Sequence, residues 1–204
     1  MFDAMPPRDV MLRSFFSGEM GSLNEGPKAG VPAPNFVLKS SSDQAPVHLK
    51  KLLGTRPVVL IFGSFSCGFF RNWAPVLVDI AERYKDRATF IGVYVREAHP
   101  ADGWQKKDNL RDGIIFHQPK TYSQRTRAAE LCQSSLKFPF PLLVDELDDP
   151  VGRTYSGMPA RLYVIDSHGV VTFQSARAPF GFRPAEMEQA LALTLLAETP
   201  AKAR

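Results

Sequence analysis

The chain is poor in cysteine, and its histidines are dispersed. Its 204 residues include two cysteines, Cys67 and Cys132. Two cysteines do not make the disulfide framework of a small secreted protein or a four-ligand zinc site, so we expect a free thiol in a reducing compartment. The four histidines show no metal-ligand spacing, and we therefore expect no metal site.

Long apolar runs are also lacking. No stretch approaches the ~18 apolar residues that a membrane-spanning helix needs. The apolar stretch at residues 10–16 is interrupted by Arg13, which is not the pattern of a secretory signal peptide. The sequence predicts a cytoplasmic protein that does not contact a membrane.

The charge is nearly balanced, with 25 basic and 21 acidic residues and a net charge of +4. Because no long basic run occurs, no nucleic-acid partner is expected. The 44% of hydrophobic residues are enough to fill the core of one domain. Glycine and proline positions predict an N-terminal extension over residues 1–30, a domain over residues 31–197 and a polar tail over residues 198–204.

Two buried strands and a helix are predicted in the first half of the domain. The unbroken apolar run at residues 57–62 is typical of a parallel strand covered on both faces. Apolar residues at three- and four-residue steps predict an amphipathic helix over residues 68–84, kinked at Pro75. The face expected to be apolar consists of Phe69, Trp73, Val76, Leu77, Ile80 and Tyr84. A strand over residues 89–95 completes a strand-helix-strand unit.

The second half supplies the rest of an α/β domain. Residues 97–120 have no clean period, and a loop of this length is usually functional or disordered. The later elements are predicted at residues 122–133, 142–145, 149–155, 161–165, 170–173 and 184–197. This order predicts a mixed central sheet flanked by helices.

Cys67 stands where the first buried strand ends and the helix begins. The unpaired N–H groups and partial positive charge of a helix N-terminus favour thiolate over thiol, so we expect a lowered pKa and a nucleophilic role. The alternative is a buried, inert cysteine that packs like a small apolar side chain.

The order strand, cysteine, helix, strand, then Pro159 before a strand and hairpin resembles the thioredoxin superfamily. The resemblance implies a thioredoxin-like fold. In that superfamily the proline is commonly cis and lies against the active-site thiol, which would place Pro159 beside Cys67. The segment at residues 31–36 is similar to the entry segment of peroxiredoxin-like members.

A closer resemblance covers residues 31–195. The segments at residues 56–67, 97–104 and 161–165 are similar, in the same order, to segments of the iodothyronine deiodinases. This resemblance implies an oxidoreductase in which Cys67 attacks iodine on a small halogenated phenol, a reductive dehalogenation. Cysteine here replaces selenocysteine, and Phe65 stands where the family has a further cysteine.

The same resemblance assigns roles to several polar residues. His99 and His117 would serve as acid or proton relay, or else be ordinary solvated loop histidines. Arg161 would hold the carboxylate or phenolate of the substrate through charge-assisted hydrogen bonds. Alternatively, Arg161 forms an ordinary surface ion pair.

Three more residues are expected near the thiol. Glu97 would orient His99 or bind a polar group of the substrate. Ser64 and Ser66 would hydrogen-bond the thiolate, although each could equally cap the helix.

Turnover requires a second thiol, because a sulfenyl species on Cys67 must be released. Cys132, a small thiol such as glutathione or dithiothreitol, or a partner thioredoxin could supply it. No bound cofactor is expected. A homodimer is a candidate assembly.

Three rival functions remain open. A one-cysteine peroxidase is favoured by Ser64, three residues before the cysteine as in peroxiredoxins, but Leu60 stands where they carry proline. A disulfide reductase is disfavoured because Phe70 occupies the second position of a C-x-x-C motif. The third rival is a thioredoxin-like binding module without catalysis.

Overall fold

A seven-stranded mixed sheet forms the centre of the computed structural model. The structure describes residues 25–199 together with residues 8, 9 and 12. Most of the predicted N-terminal extension, residues 1–30, and residues 200–204 of the predicted tail therefore lie outside the described residues.

The elements follow the chain in an α/β order. The strands are β1 (Val37–Ser40), β2 (Pro46–His48), β3 (Val58–Gly63), β4 (Thr89–Tyr94), β5 (Leu142–Val144), β6 (Arg161–Ile165) and β7 (Val171–Gln174). The helices are α1 (Leu49–Leu52), α2 (Gly68–Tyr84), α3 (Lys107–Arg111), α4 (Tyr122–Leu136), α5 (Pro150–Thr154) and α6 (Pro184–Glu198).

The sheet order is β2-β1-β5-β4-β3-β6-β7. Strands β3, β4 and β5 are parallel, whereas β1, β2, β6 and β7 pair antiparallel with their neighbours. All six residues of β3 are buried, as its unbroken apolar run predicts. The predicted mixed sheet with flanking helices is confirmed. Because β3, β4 and β5 are parallel neighbours at the centre of the sheet, their C-terminal ends lie side by side.

The predicted apolar face of α2 is partly wrong. The buried line is Phe70, Ala74, Leu77, Ile80 and Ala81, whereas Trp73 and Val76 are exposed. Two apolar lines run side by side along this helix, and periodicity alone does not choose between them. Packing against the sheet selects the line that contains Phe70, because the ring of Phe70 occupies the space that a side chain on Gly63 would fill. The helix runs through Pro75.

The loop between β4 and α4 is ordered around a short helix, α3. Helix α4 then begins with a capping box: the Thr121 hydroxyl accepts from the Gln124 N–H, and the Gln124 side chain accepts from the Thr121 N–H, both at 3.2 Å. These bonds satisfy two groups that a helix start otherwise leaves unpaired. Among the described helices, none has the length and apolar composition required to span a bilayer.

A buried ion pair joins α4 to the segment between β5 and α5. The guanidinium of Arg125, 1% exposed, donates to the Asp149 carboxylate at 2.6 Å. Asp149 also accepts from the backbone N–H of Arg96 at 3.1 Å, directly before Glu97. The pair therefore ties α4 to the start of the loop that follows β4.

Replacing Arg125 by Met should lower the free energy of unfolding by about 3 kcal/mol, because the buried Asp149 carboxylate would lose its nearer counter-charge. The guanidinium of Arg96, 3.8 Å away, would remain. Urea unfolding measures the change. The control is Arg153→Met, which breaks an exposed ion pair with Asp148 and should cost less than about 1 kcal/mol. Equal losses in the two variants would contradict this account of the buried pair.

Candidate active site

Cys67 is the N-cap residue of α2, as the strand-to-helix pattern predicts. Its N–H donates to the Ser64 carbonyl, and its own carbonyl accepts from the Arg71 N–H, both at 3.1 Å. The side chain is 2% exposed. We call residues 64–67 the thiol loop.

The expected low pKa of Cys67 is wrong for this structure. Burial is the largest influence and raises the pKa of the thiol. The backbone N–H groups of Phe70 and Phe69 and the charges of Arg71 and Lys106 lower it, but by less. The helix start therefore acts as predicted, and desolvation outweighs it. At neutral pH the resting side chain is a thiol.

Glu97 is the buried anchor of the thiol loop. Its carboxylate accepts a hydrogen bond from the Ser66 N–H at 2.9 Å and another from the Tyr94 hydroxyl. The same hydroxyl accepts from the Phe65 N–H at 3.2 Å. Burial raises the pKa of Glu97. The carboxylate thus holds the backbone before Cys67 rather than the ring of His99.

Ser64 and Ser66 bind the chain that follows β4. The Ser64 hydroxyl accepts from the Ala98 N–H at 3.1 Å, and the Ser66 hydroxyl accepts from the His99 N–H at 3.0 Å. These are neither the thiolate bonds nor the helix caps expected from the sequence. Both hydroxyls join the thiol loop to the segment at residues 97–104.

Asn109 and Arg71 complete this connection, and sequence reasoning missed both. The Asn109 amide donates to the Ser66 carbonyl at 2.8 Å and accepts from the Arg71 guanidinium at 2.8 Å. The guanidinium also donates to the Phe65 carbonyl at 2.7 Å. The only signal in the sequence is the location of Asn109 in the long aperiodic loop, since Arg71 falls on the polar side of an ordinary helix.

His99 is neutral in this environment. Burial, followed by the charge of Lys106, lowers its pKa to about 4. Its Nδ1 lies 3.1 Å from the Trp104 carbonyl oxygen. Because a carbonyl only accepts hydrogen bonds, Nδ1 carries the proton and Nε2 is left as an acceptor. The ring also meets the edge of Trp104, with centroids 4.7 Å apart.

His117 lies apart from this cluster. Its side chain is exposed and lines a surface cavity of about 500 Å³ with Phe116, Lys120 and Arg127 among others. The following residue, Gln118, exchanges hydrogen bonds with the backbone of Glu97. His99 is thus bonded to the thiol loop through its N–H, whereas the His117 side chain faces solvent and the surface cavity.

Arg161 is buried rather than part of a surface ion pair. Its Nε donates to the Ser175 carbonyl at 2.8 Å, and Nη1 donates to the carbonyls of Glu25 at 2.7 Å and Ser156 at 3.4 Å. Nη2 takes no part in these bonds. The residue pairs with Phe62 across β3 and β6, close to the end of β3 that leads into the thiol loop.

The Met158–Pro159 peptide bond is cis, as the resemblance to thioredoxins implies. It lies directly before β6, whose first residue, Arg161, pairs with the end of β3. The turn is thus at the same end of β3 as Cys67.

Phe65, also expected near the site, is buried and packs edge-on against Phe116 with centroids 5.4 Å apart.

Cys132 is a free, fully buried cysteine on α4. Burial, followed by the charge of Glu97, raises its pKa well above the ordinary value. A thiol with this environment is a poor nucleophile.

The described residues contain one group of side chains with metal-ligating atoms close together: Asp166, His168 and Glu198. The Asp166 carboxylate already accepts from two backbone N–H groups, and Glu198 accepts from a third. The group lies after β6, at the edge of the sheet opposite to Cys67. It is not part of the candidate active site.

Comparison with solved structures shows the type of fold. The chain matches a peroxidoxin, BcpB, from Mycobacterium tuberculosis with a TM-score of 0.59 and 22% identity over 84% of this chain and 98% of the other. A disulfide oxidoreductase secreted by the same organism matches with a TM-score of 0.56 and 19% identity over 78% of this chain and 95% of the other. At these identities the comparisons show a thioredoxin-like fold.

Sequence comparison identifies the family. Residues 9–194 match the family model of iodothyronine deiodinase, so the chain belongs to that family. It is 30% identical over 179 residues to a thyroxine 5-deiodinase of Sparus aurata, covering 86% of this chain and 64% of the relative. The corresponding protein of Gallus gallus is 31% identical over 177 residues, with 86% and 67% covered. The chain thus spans about two thirds of the length of these relatives.

Alkylation of Cys67 by iodoacetamide should accelerate by about tenfold per pH unit between about pH 7 and pH 9, because only the thiolate reacts. No plateau is expected below about pH 9, since burial raises the pKa of the thiol above its ordinary value of 9.0. His99, with a pKa of about 4, should add no step above about pH 5. The Cys132→Ala variant restricts the label to Cys67, and a plateau below about pH 8 would contradict the assignment.

Proposed function

We propose that the protein is a thiol-dependent reductive dehalogenase that removes iodide from iodinated phenols, with Cys67 as nucleophile. The observation that carries the proposal is the bonding of the thiol loop to the 97–104 segment through Glu97, Ser64 and Ser66. These are two of the three segments that resemble the deiodinases. Membership of the family supports the same reaction.

The proposed reaction balances in two stages. The Cys67 thiolate attacks iodine, so that an S–I bond forms and the C–I bond breaks. The electron pair of the broken bond stays on the ring carbon, which takes up one proton. An external thiol then displaces iodide to give a mixed disulfide on Cys67, and a second thiol releases a free disulfide and restores Cys67.

Proton movement in the proposed reaction is constrained by the neutral state of His99. Its unprotonated Nε2 is suited to accept a proton as the thiolate forms, rather than to donate one from an imidazolium. Transfer of that proton to the ring carbon would make His99 a relay. His117, exposed to solvent, is proposed as a second relay group.

The proposed reductant is an external thiol. Cys132 is fully buried and its thiol is held in the protonated form by burial, so we do not assign it the resolving role. A thioredoxin-type protein or a small thiol such as glutathione or dithiothreitol can perform the second stage. No bound cofactor enters the scheme.

Cys67→Ala should abolish iodide release from thyroxine and from a simple iodophenol in excess dithiothreitol, because the attacking sulfur is removed. Iodide is measured with a selective electrode. The matched control is Cys132→Ala, which should retain turnover within about threefold, since the external thiol performs the reduction.

Persistent turnover in the Cys67→Ala variant would refute the proposed nucleophile. Loss of turnover in the Cys132→Ala variant, with the fold intact by circular dichroism, would instead restore Cys132 as the resolving thiol.

Arg161 is proposed to bind the carboxylate or phenolate of the substrate through Nη2 while its other donors anchor the backbone. Arg161→Met should therefore raise KM for an anionic iodophenol and also lower Tm by several degrees, because carbonyls of Glu25, Ser156 and Ser175 lose their donors. Steady-state kinetics and calorimetry measure the two effects. An unchanged KM would remove the substrate role, and an unchanged Tm would contradict the anchoring role.

A further inference from the structure

Lys106 stands between two aromatic rings at the edge of the candidate active site. Its Nζ lies 6.0 Å from the ring centroid of Phe69 and 5.8 Å from that of Trp104. Phe69 is in the first turn of α2, two residues after Cys67. The carbonyl of Trp104 holds the ring of His99. The ammonium therefore lies between the first turn of α2, which carries Cys67, and the loop that carries His99.

This ammonium has no carboxylate partner among the described residues. Within the described part of the chain, the ion pairs join other cations to their acids, and none includes Lys106. Nearby, Arg71 pairs with Asp112, and Arg111 pairs with Asp108. Lys106 is therefore a half-buried cation with no ion-pair partner in residues 25–199.

The charge of Lys106 reaches both polar groups of the site. It lowers the pKa of the Cys67 thiol and, after burial, is the next influence that lowers the pKa of His99. An anion bound at Lys106 would therefore lie within electrostatic range of the thiol and the imidazole.

The two rings complete a surface for an aromatic anion. Phe69 and Trp104 are both partly exposed, and each presents ring surface next to the ammonium. A planar ring can pack on such side chains while an oxyanion attached to it approaches the cation.

We propose that Lys106, Phe69 and Trp104 form a subsite that selects substrates with an oxyanion, carboxylate or phenolate, on an aromatic ring. The inference rests on the proposed function for its link to dehalogenation, and it names the substrate class of that site. Lys106 is a specificity residue here, and the cation that it provides is distinct from the buried guanidinium of Arg161.

The test measures binding without turnover. In the 204-residue chain carrying Cys67→Ala and Trp73→Phe, Trp104 is the remaining tryptophan of the two, and iodinated ligands are expected to quench its fluorescence. The probes are 4-hydroxy-3,5-diiodobenzoate, its methyl ester, and the methyl ester with the phenol also methylated. They carry two ionisable groups, the phenol alone, and none.

Lys106→Met should weaken binding of the doubly anionic probe by about tenfold and leave the neutral probe within about twofold. The methyl ester, which keeps only the phenol, shows whether Lys106 binds the carboxylate or the phenolate. Lys107→Met, a neighbouring exposed lysine, is the matched control and should change nothing. Lys106→Arg should restore most of the preference for the anion, because the charge is retained.

Equal weakening of all three probes in Lys106→Met would show a structural role and overturn the inference. So would unchanged binding, or the absence of quenching by any probe at millimolar concentration. A Lys106-dependent preference in a protein that releases no iodide would refute the dehalogenase proposal alone. Iodide release without any dependence on Lys106 would refute this inference alone.

Discussion

The carboxylate of Glu97 is the buried polar group on which the candidate active site depends. It accepts from the Ser66 N–H and from the Tyr94 hydroxyl, which in turn accepts from the Phe65 N–H. Loss of the carboxylate would leave the Ser66 N–H and the Tyr94 hydroxyl without their acceptor in a dry interior, at about 1–3 kcal/mol for each group. The position of Cys67 therefore follows from a contact made by a residue thirty positions later in the chain.

This arrangement keeps the Cys67 thiol weakly reactive in the absence of substrate. Burial keeps Cys67 protonated and His99 neutral. Formation of the reactive thiolate and of a charged imidazole therefore depends on the binding of a substrate. The helix start, Arg71 and Lys106 supply favourable charge near the sulfur. In the proposed reaction, proton transfer from Cys67 toward His99 would accompany substrate binding, and an unoccupied site would be protected from oxidants.

The fold could be predicted from local patterns, and the site only in part. The apolar run of β3 and the period of α2 place Cys67 at a strand-to-helix turn, and the buried β3 is as expected. The roles of Glu97, Ser66 and Asn109 could not be derived, because their partners are distant in sequence and are chosen by packing. The raised pKa of Cys67 could not be derived for the same reason, because the burial that causes it depends on tertiary packing and not on the strand-to-helix pattern.

The most direct measurement is the stoichiometry of a single turnover without reductant. Anaerobic protein is mixed with excess iodophenol, and iodide and the remaining Cys67 thiol are quantified together. We expect about one iodide per chain and an equal loss of the Cys67 thiol, since hydrolysis of the sulfenyl iodide gives iodide and a sulfenic acid and does not regenerate the thiol. Iodide release with the Cys67 thiol intact, or loss of the thiol without iodide, would contradict the assignment of Cys67 as the atom that takes iodine from the ring.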